Sequence, residues 1–266
     1  MDYPGRVIKQ GEQDAALVRA LKRQLNEALA LRPGGEGLQP LDESNPNFGP
    51  AMKQAVRLFQ ARHVDAQGRP LKADGEIGAI TWSVLFRQQA AAGAQASSNA
   101  LLSKVLQIAA AECERGVREI PPNSNHGPDV EGYLKRVGLG AGYPWCCAFV
   151  YWCFDEAAQA LHRPNPMLRT AGCLAHWQGA TARGARRITR AQALASPDLI
   201  RPGMIFIMDF GGGAGHTGLV ERVGGGLIET LEGNTDASKT REGGGVYRLT
   251  RKLLDINKGF IVYDGL

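Results

Sequence analysis

The sequence predicts an α+β domain, residues 101–266, preceded by a smaller helical domain, residues 1–90. Three observations predict this arrangement. Apolar residues recur at helical spacing up to residue 160, whereas short apolar runs separated by glycine triplets follow Pro202. Helices followed by strands within one region are typical of an α+β domain. A low-complexity stretch rich in Ala, Gln and Ser places a linker at residues 91–100.

Two apolar stripes predict helices in the first domain. In each stripe the apolar residues recur at steps of three and four, which places them on one face of an amphipathic helix. The first stripe consists of Leu17, Val18, Leu21, Leu25 and Leu29, and the second of Met52, Val56 and Phe59.

The second domain is predicted to begin with helices and to continue as strands. Helical periodicity covers residues 101–114, 128–137 and 146–160, and Gly138 is suited to end the second of these helices. Strands are expected in the segments GMIFIMDF, HTGLVERV, LIETLEGN, GVYRLTRK and GFIVYDGL. Short apolar runs punctuated by glycine turns favour an antiparallel sheet.

Composition and charge exclude several classes of protein. No apolar run approaches the roughly 20 residues that span a bilayer, so no stable membrane insertion is expected. The net charge of +5 is spread over both domains and does not indicate nucleic-acid binding. One dense basic cluster is interpreted as a solvated loop or helix face. It consists of Arg183, Arg186, Arg187 and Arg190.

The cysteine pattern and the N-terminal segment indicate the cellular compartment in which the protein is made. Five cysteines without a CxxC pair or zinc-finger spacing indicate reduced thiols, with neither a disulfide framework nor a structural metal site. The segment MDYPGRVIKQGEQDAALVRA lacks the apolar core of a secretory signal. We therefore expect synthesis in the cytoplasm, and any action outside it would need a separate route of exit.

The segment YPWCCAFVYWCF, residues 143–154, contains three of the five cysteines. A thiol attacks only as a thiolate, so a catalytic cysteine needs a helix N-terminus or a basic partner. Pro144 is suited to the first turn of a helix, which places Cys146 among free N–H groups and Cys147 about 100° further around the axis. We predict Cys146 as the nucleophile and interpret the other four cysteines as small hydrophobic residues.

His216 is the candidate base, because it opens a predicted strand directly after the flexible segment GGGAG. The other four histidines occur in polar or Pro/Gly-rich contexts without a companion motif. In the following strand the period of two places Glu232 and Asn234 on one face. A hairpin would bring either of these residues beside His216, where it would fix the tautomer and orientation of the ring.

The ordered motifs PWC, GHTG and EGN resemble the cysteine, histidine-dependent amidohydrolase/peptidase (CHAP) domain of bacterial and phage wall hydrolases. The resemblance covers residues 101–264 and implies a papain-like fold. It implies Cys146 as the nucleophile and His216 as the general base. It also implies that Glu232 or Asn234 orients His216 while the other is a nearby polar group. No metal and no organic cofactor are expected.

In the first domain, AVRLFQ followed by ADGEIGAITWSVL resembles the small three-helix peptidoglycan-binding domain of many wall hydrolases. The resemblance covers residues 15–87. The first of the two turns departs from the usual pattern, because SNPNFGPAM replaces an Asp-Gly and a Thr. The alternative is a helical bundle that serves only as a spacer or as a partner-binding domain.

Together the resemblances imply a peptidoglycan hydrolase that cleaves an amide bond, as an N-acetylmuramoyl-L-alanine amidase or a peptide endopeptidase. A phage endolysin and an antibacterial effector both fit. The effector would have a secretion apparatus and an immunity protein as partners, and both would act on the cell wall after release or delivery. Two alternatives stay open, a papain-like amidase acting on a non-wall amide and a catalytically inert wall-binding protein.

Overall fold

The computed structural model describes residues 1–34, 37–65, 70–86, 99–239 and 243–265. Contacts divide the chain into two compact units, Met1–Ala92 with Gly224–Leu227 and Gly93–Val223 with Ile228–Leu266. The linker predicted at 91–100 lies outside the described residues except for its last two. Of these, Asn99 caps a helix that begins at Ala100.

The described residues contain eight α-helices and six β-strands. The helices are α1 (Ala15–Ala28), α2 (Pro50–Arg62), α3 (Ala79–Leu85), α4 (Ala100–Glu114), α5 (Pro128–Arg136), α6 (Cys146–Ala160), α7 (Cys173–Gly179) and α8 (Arg190–Ala195). The strands are β1 (Arg186–Thr189), β2 (Ile205–Gly211), β3 (Ala214–Gly224), β4 (Leu227–Thr235), β5 (Gly245–Lys252) and β6 (Gly259–Val262). None of these helices combines the length and apolarity needed to cross a bilayer.

The first unit contains α1 to α3, which bury both predicted apolar stripes. Asp14 starts α1 by accepting a hydrogen bond from the Leu17 N–H at 3.0 Å. On α2 the buried Gln60 accepts from the Gly75 N–H at 2.9 Å and donates to Thr81 Oγ1 at 3.2 Å. These bonds join the FQ motif to the DGEIGAITW motif. The role of this unit as a wall-binding domain stays a prediction.

The second unit is an α+β domain, as predicted. Its six strands form one sheet in the order β1-β6-β2-β3-β4-β5. The pairs β1 with β6, β2 with β6 and β2 with β3 are antiparallel. Helix α6 contacts both α4 and α5. Most of its residues are buried, because apolar residues occur along most of its length. The start of this buried helix and the middle of the sheet position the site described below.

Three predicted helices are confirmed within one residue at each end, as α4, α5 and α6. Gly138 follows the end of α5, as predicted. The placement of Pro144 in the first turn of α6 is wrong, because Trp145 is the cap and Cys146 is the first helical residue. Trp145 has non-helical backbone angles (φ −122°, ψ 8°), so the chain enters the helix two residues after Pro144.

The interpretation of the basic cluster as a loop or helix face is wrong for its middle part. The residues Arg186–Thr189 form the edge strand β1, and Arg190 begins α8. Only Ile188 of this strand is buried, so no apolar alternation marks it in the sequence. The exposed guanidinium of Arg186 pairs with Asp264 at 3.0 Å.

Candidate active site

The predicted nucleophile, Cys146, is the first residue of α6. Trp145, which caps this helix, is buried. Its backbone N–H donates to Asn234 Oδ1 at 2.8 Å, and its indole N–H donates to Glu119 Oε1 at 2.7 Å. These bonds fix the start of α6. Because the first N–H groups of a helix have no partner within it, Cys146 lies at the positive end of the helix dipole.

A second buried cysteine lies against Cys146. The two Sγ atoms of Cys146 and Cys173 are 3.5 Å apart, and Cys173 is the first residue of α7. The hydrogen bond with Cys173 and burial raise the pKa of Cys146 well above its usual range, whereas His216 acts to lower it. Cys147, interpreted from the sequence as a small hydrophobic residue, is also buried and interacts with Cys173. Interpreting Cys173 as a small hydrophobic residue therefore missed its contact with Cys146.

His216 lies on β3 with its ring enclosed by the domain. Nε2 of His216 is 2.7 Å from Oε2 of Glu232, which lies on the neighbouring strand β4. An ionised carboxylate only accepts hydrogen bonds, so this contact places the N–H of the neutral ring on Nε2. The lone pair is then on Nδ1. That nitrogen is buried and makes no hydrogen bond with a described residue.

The electrostatics of His216 link it to Cys146 as well as to Glu232. Burial alone would lower the pKa of His216, but interactions with Cys146 and Glu232 raise it to about 9. Since Nε2 is engaged by Glu232, Nδ1 is the nitrogen that remains for the Cys146 thiol. The structure therefore brings three of the predicted site residues together in the order thiol, imidazole, carboxylate.

Glu232 is completely buried and is neutralised by an arginine that sequence reasoning missed. Arg251, on β5, donates from Nε to Oε1 and from Nη2 to Oε2, each at 2.6 Å. The Thr230 hydroxyl also donates to Oε1. Burial would raise the pKa of Glu232, but the hydrogen bonds from Arg251 and His216 lower it to about 2. The sequence did indicate that Arg251 is buried. Arg251 lies two residues after the buried Leu249, and alternate residues of a strand lie on the same face.

Asn234 makes different contacts from Glu232. Its Oδ1 accepts from the Trp145 backbone, and its Nδ2 donates to Asn125 Oδ1 at 3.2 Å and to Glu119 Oε1 at 3.4 Å. The sequence left open which of Glu232 and Asn234 lies beside His216. In the structure Glu232 contacts the ring, and Asn234 holds the start of α6.

Glu119 is a further buried residue that sequence reasoning missed. Besides the Trp145 indole, it accepts a hydrogen bond from the Asn125 N–H at 3.0 Å. It therefore ties the loop after α4 to Trp145, the residue that precedes Cys146. Nothing in the local sequence predicts this, because the partners of Glu119 are close to it only in the folded chain.

The close approach of α7 to β3 depends on a glycine. A Cβ atom on Gly215 would lie 2.8 Å from the carbonyl oxygen of Met208 and 3.1 Å from Cβ of Cys173. A larger residue would push Cys173 away from the site. The sequence GHTG therefore provides both the histidine and the space for the cysteine beside it.

The described part of the chain holds no group of three or more His, Cys, Asp or Glu side chains arranged to bind a metal ion. The five free thiols include Cys113 and Cys153, which lie apart from the contacts described above. The expectation that the reaction needs no cofactor stays a prediction.

Comparison with known protein families gives one match. Residues 138–234 match the model of the CHAP domain. The matched segment contains Cys146, His216, Glu232 and Asn234 but neither Glu119 nor Arg251. No curated protein and no solved structure matches the chain. The match supports a CHAP-domain protein and implies a hydrolase of the amidase or peptidase class.

Proposed function

We propose that the protein is a peptidoglycan hydrolase that cleaves an amide bond of bacterial wall peptides through a Cys146 thioester. The observation that carries the proposal is the arrangement of Cys146, His216 and Glu232 within a segment that matches the CHAP domain. The bond is either the N-acetylmuramoyl-L-alanine amide or an amide between two amino acids of the wall peptide.

Acylation begins when Nδ1 of His216 takes the Cys146 proton. The thiolate attacks the carbonyl carbon, and the resulting oxyanion accepts a hydrogen bond from the Cys146 backbone N–H at the start of α6. Collapse of this intermediate breaks the carbon–nitrogen bond and leaves a thioester on Cys146. The imidazolium of His216 gives its proton to the departing amine.

Deacylation reverses the proton movements. Neutral His216 takes a proton from a water molecule, the hydroxide attacks the thioester, and the Cys146 thiolate leaves. The products are an amine and a carboxylic acid, so one water molecule is consumed per bond. Glu232 remains ionised throughout, because a carboxylate with a pKa of about 2 does not compete with His216 for the proton. Its part is to hold the ring in the tautomer that leaves Nδ1 free.

The first unit carries a feature that supports a wall-anchoring role. A cleft of about 1080 Å³ lies between α2 and the segment that follows α1, and four basic side chains line it together with apolar residues. The basic residues are Arg32, Lys53, Arg57 and Arg62, and no acidic residue is among the described residues that line the cleft. Wall peptides carry free carboxylates, which such a cleft would attract. We propose that this cleft holds the enzyme on peptidoglycan.

Growth of a Gram-negative host tests the proposed function. Three versions are expressed: the chain as written, the chain with an added export signal, and the exported chain with Cys146→Ala. Because peptidoglycan lies outside the cytoplasmic membrane, only the exported unmodified chain should cause lysis. The Cys146→Ala version separates catalysis from the stress of export.

Two results would overturn the proposal. Toxicity of the cytoplasmic version would indicate a cytosolic amide substrate. Equal lysis by the exported Cys146→Ala version would show that the thiol is not needed.

We propose two routes by which the enzyme would reach the wall, release at phage lysis and delivery by a secretion apparatus. An immunity protein would accompany the second.

A further inference from the structure

Arg251 lies outside the segment that matches the CHAP domain, yet its guanidinium is buried against Glu232. Both oxygens of that carboxylate receive one N–H each from Arg251, at 2.6 Å. The planar guanidinium matches a carboxylate in this way, whereas a lysine ammonium provides a single point charge. The guanidinium also lies 5.5 Å from the ring centre of Phe206, whose ring packs against His216 at 5.9 Å. Arg251 is therefore held rigidly.

We infer that Arg251 is a positioning residue for the proposed reaction. It acts on His216 through Glu232. It holds the carboxylate in the orientation that receives Nε2, and it neutralises the carboxylate. Without this neutralisation the buried carboxylate would bind the proton of the imidazolium more strongly. His216 would then release its proton to the leaving amine less readily.

The titratable and charged groups at the site of His216 come from separate elements of the domain. Among the described residues they are Cys146 from α6, Cys173 from α7, Glu232 from β4 and, beyond that carboxylate, Arg251 from β5. The adjoining strand β2 contributes the apolar ring of Phe206. Removing the positive charge of Arg251 leaves the surroundings of His216 more negative, so its titration is expected to move to higher pH.

The test compares Arg251→Gln and Arg251→Lys with Arg248→Gln as the matched control. Arg248 lies on the same strand and forms the same two-bond pair with Glu221, at 2.6 and 2.9 Å, but on the exposed surface. The readouts are the NMR titration of His216 and the dependence of kcat and KM on pH. Arg251→Gln should lower kcat by about 10- to 100-fold with little change in KM, which is the loss that follows removal of an outer partner of a functional histidine.

Arg251→Lys should recover part of kcat, and Arg248→Gln should behave as the wild type. A folded Arg251→Gln variant whose His216 titrates as in the wild type would overturn the inference. If that variant does not fold, Arg251→Lys decides, and full activity with an unchanged titration would overturn it. The inference rests on the proposed function only for kcat. A shifted His216 titration in a protein that never cleaves peptidoglycan would support Arg251 and refute the proposed function.

A second inference rests on an independent observation, the contact of Cys146 with Cys173. The mechanism uses one thiol, and a second buried thiol lies 3.5 Å from it. A disulfide has a sulfur–sulfur bond of about 2.05 Å, so small side-chain rotations would close the remaining gap. Cys146 begins the 15-residue helix α6, whose N-terminus favours the thiolate that oxidation requires and so opposes the effect of burial.

We propose that Cys146 and Cys173 form a reversible disulfide when the enzyme meets a peroxide. The Cys146 thiolate attacks one oxygen of hydrogen peroxide, which gives a sulfenic acid and, with one proton, a first water. The Cys173 thiol then attacks the sulfenic sulfur, which forms the disulfide and releases a second water. The two thiols lose two electrons in total, and the peroxide gains them. Hydrolysis stops because the nucleophile is blocked, and a dithiol reductant restores it.

Treatment of the purified full chain with hydrogen peroxide tests this proposal. Free thiols are alkylated, and peptides are analysed by mass spectrometry without reduction. The wild type should yield a Cys146–Cys173 cross-link. Because Cys147 is adjacent to Cys146, the experiment is repeated with Cys147→Ala, which should yield the same cross-link. Cys113→Ala, which removes a partly exposed thiol outside the site, is the matched control.

In Cys173→Ala, or Cys173→Ser if the alanine variant does not fold, peroxide should drive Cys146 to the sulfinic acid. Dithiothreitol would no longer reverse this modification. A cross-link from Cys147 to Cys173, no cross-link at all, or full recovery of Cys173→Ala by dithiothreitol would each overturn the proposal. The cross-link is detected without any substrate, so its formation is independent of the proposed function.

Discussion

Nε2 of His216 lies 2.7 Å from Oε2 of Glu232, and both side chains are buried. This contact determines which ring nitrogen carries the proton, and it leaves Nδ1 for the thiol. The carboxylate has four donors around it, so its own orientation is fixed as well. The neutral ring of His216 is therefore held in one tautomer and one orientation.

The two adjacent cysteines at the start of α6 should differ in function. Cys146→Ala should lower wall hydrolysis by at least about 10³-fold, because the nucleophile is lost. Cys147→Ala should keep most of the activity and lower the free energy of unfolding by about 1 kcal/mol, because it removes one buried sulfur. Loss of turbidity of purified wall suspensions measures hydrolysis. Equal losses in two folded variants would exclude this assignment.

Substitutions of Glu232 and Asn234 should have different effects, because the two side chains make different contacts. Glu232→Gln should reduce kcat by about 10²- to 10⁴-fold without weakening wall binding, since the tautomer of His216 is no longer fixed. Asn234→Ala should instead lower the melting temperature, because it leaves the Trp145 N–H unpaired. Steady-state kinetics and thermal unfolding of both variants check this. Near wild-type kcat in Glu232→Gln would contradict the role of the carboxylate.

The pH profile should report the raised pKa of His216. His216 must be neutral to take the Cys146 proton, so kcat/KM should rise with pH and level off above the His216 pKa of about 9. Glu232→Gln removes an interaction that raises this pKa, so the rise should move to lower pH. Measurement of kcat/KM from neutral to alkaline pH tests this, and a rise at the same pH in Glu232→Gln would be evidence against it.

The same pKa shift has a consequence for stability. The folded pKa of His216, about 9, exceeds the ordinary value of 6.5. Its contribution to stability is therefore complete below pH 6.5 and is lost as the pH rises through about 9.

Gly233 should be intolerant of a side chain. A Cβ atom there would lie 2.6 Å from the Trp145 ring and 2.8 Å from the Phe149 ring, both of which are buried. Gly233→Ala should lower the free energy of unfolding by about 1–3 kcal/mol and reduce activity, because Trp145 precedes the nucleophile. Gly140→Ala is the control, since nothing lies within 4 Å of its Cβ position. Urea unfolding gives both values, and equal stabilities would contradict the packing described.

The cleft of the first unit should determine wall binding. Replacing Arg57 and Arg62 together with glutamine should weaken binding to insoluble peptidoglycan, most strongly at low ionic strength. The exposed Arg23, which pairs with Glu43 and does not line the cleft, supplies the control Arg23→Gln. Sedimentation with purified wall measures the bound fraction. If the double variant and the control bind equally, the cleft is not the anchor.

The sequence predicted those elements whose signals are local. The apolar periodicity of α6 and the strand that carries His216 are both present in the structure within a few residues. The periodicity predicted the bounds of α6, but Pro144 was placed in its first turn, two residues before the helix begins, because the bond from Trp145 to Asn234 sets the start across 89 positions of the chain. Strand β1 was missed, since only Ile188 of its four residues is buried.

The surroundings of the site were less predictable than its centre. Residue types indicated a thiol, an imidazole and a carboxylate or amide, but not their partners. Glu119 reaches Trp145, and Cys173 reaches Cys146, only through tertiary packing, and periodicity contains no information on such contacts. Arg251 was detectable in principle, because an arginine on the buried face of a strand requires a buried partner.

Mass spectrometry of the soluble fragments released from purified peptidoglycan tests the central claim most directly. The account predicts fragments in which one amide has been hydrolysed, so that each cut gives a new amine and a new carboxyl group while the glycan chain stays intact. The Cys146→Ala variant should release none. Fragments cut at glycosidic bonds, or the same amide products from Cys146→Ala, would contradict the account.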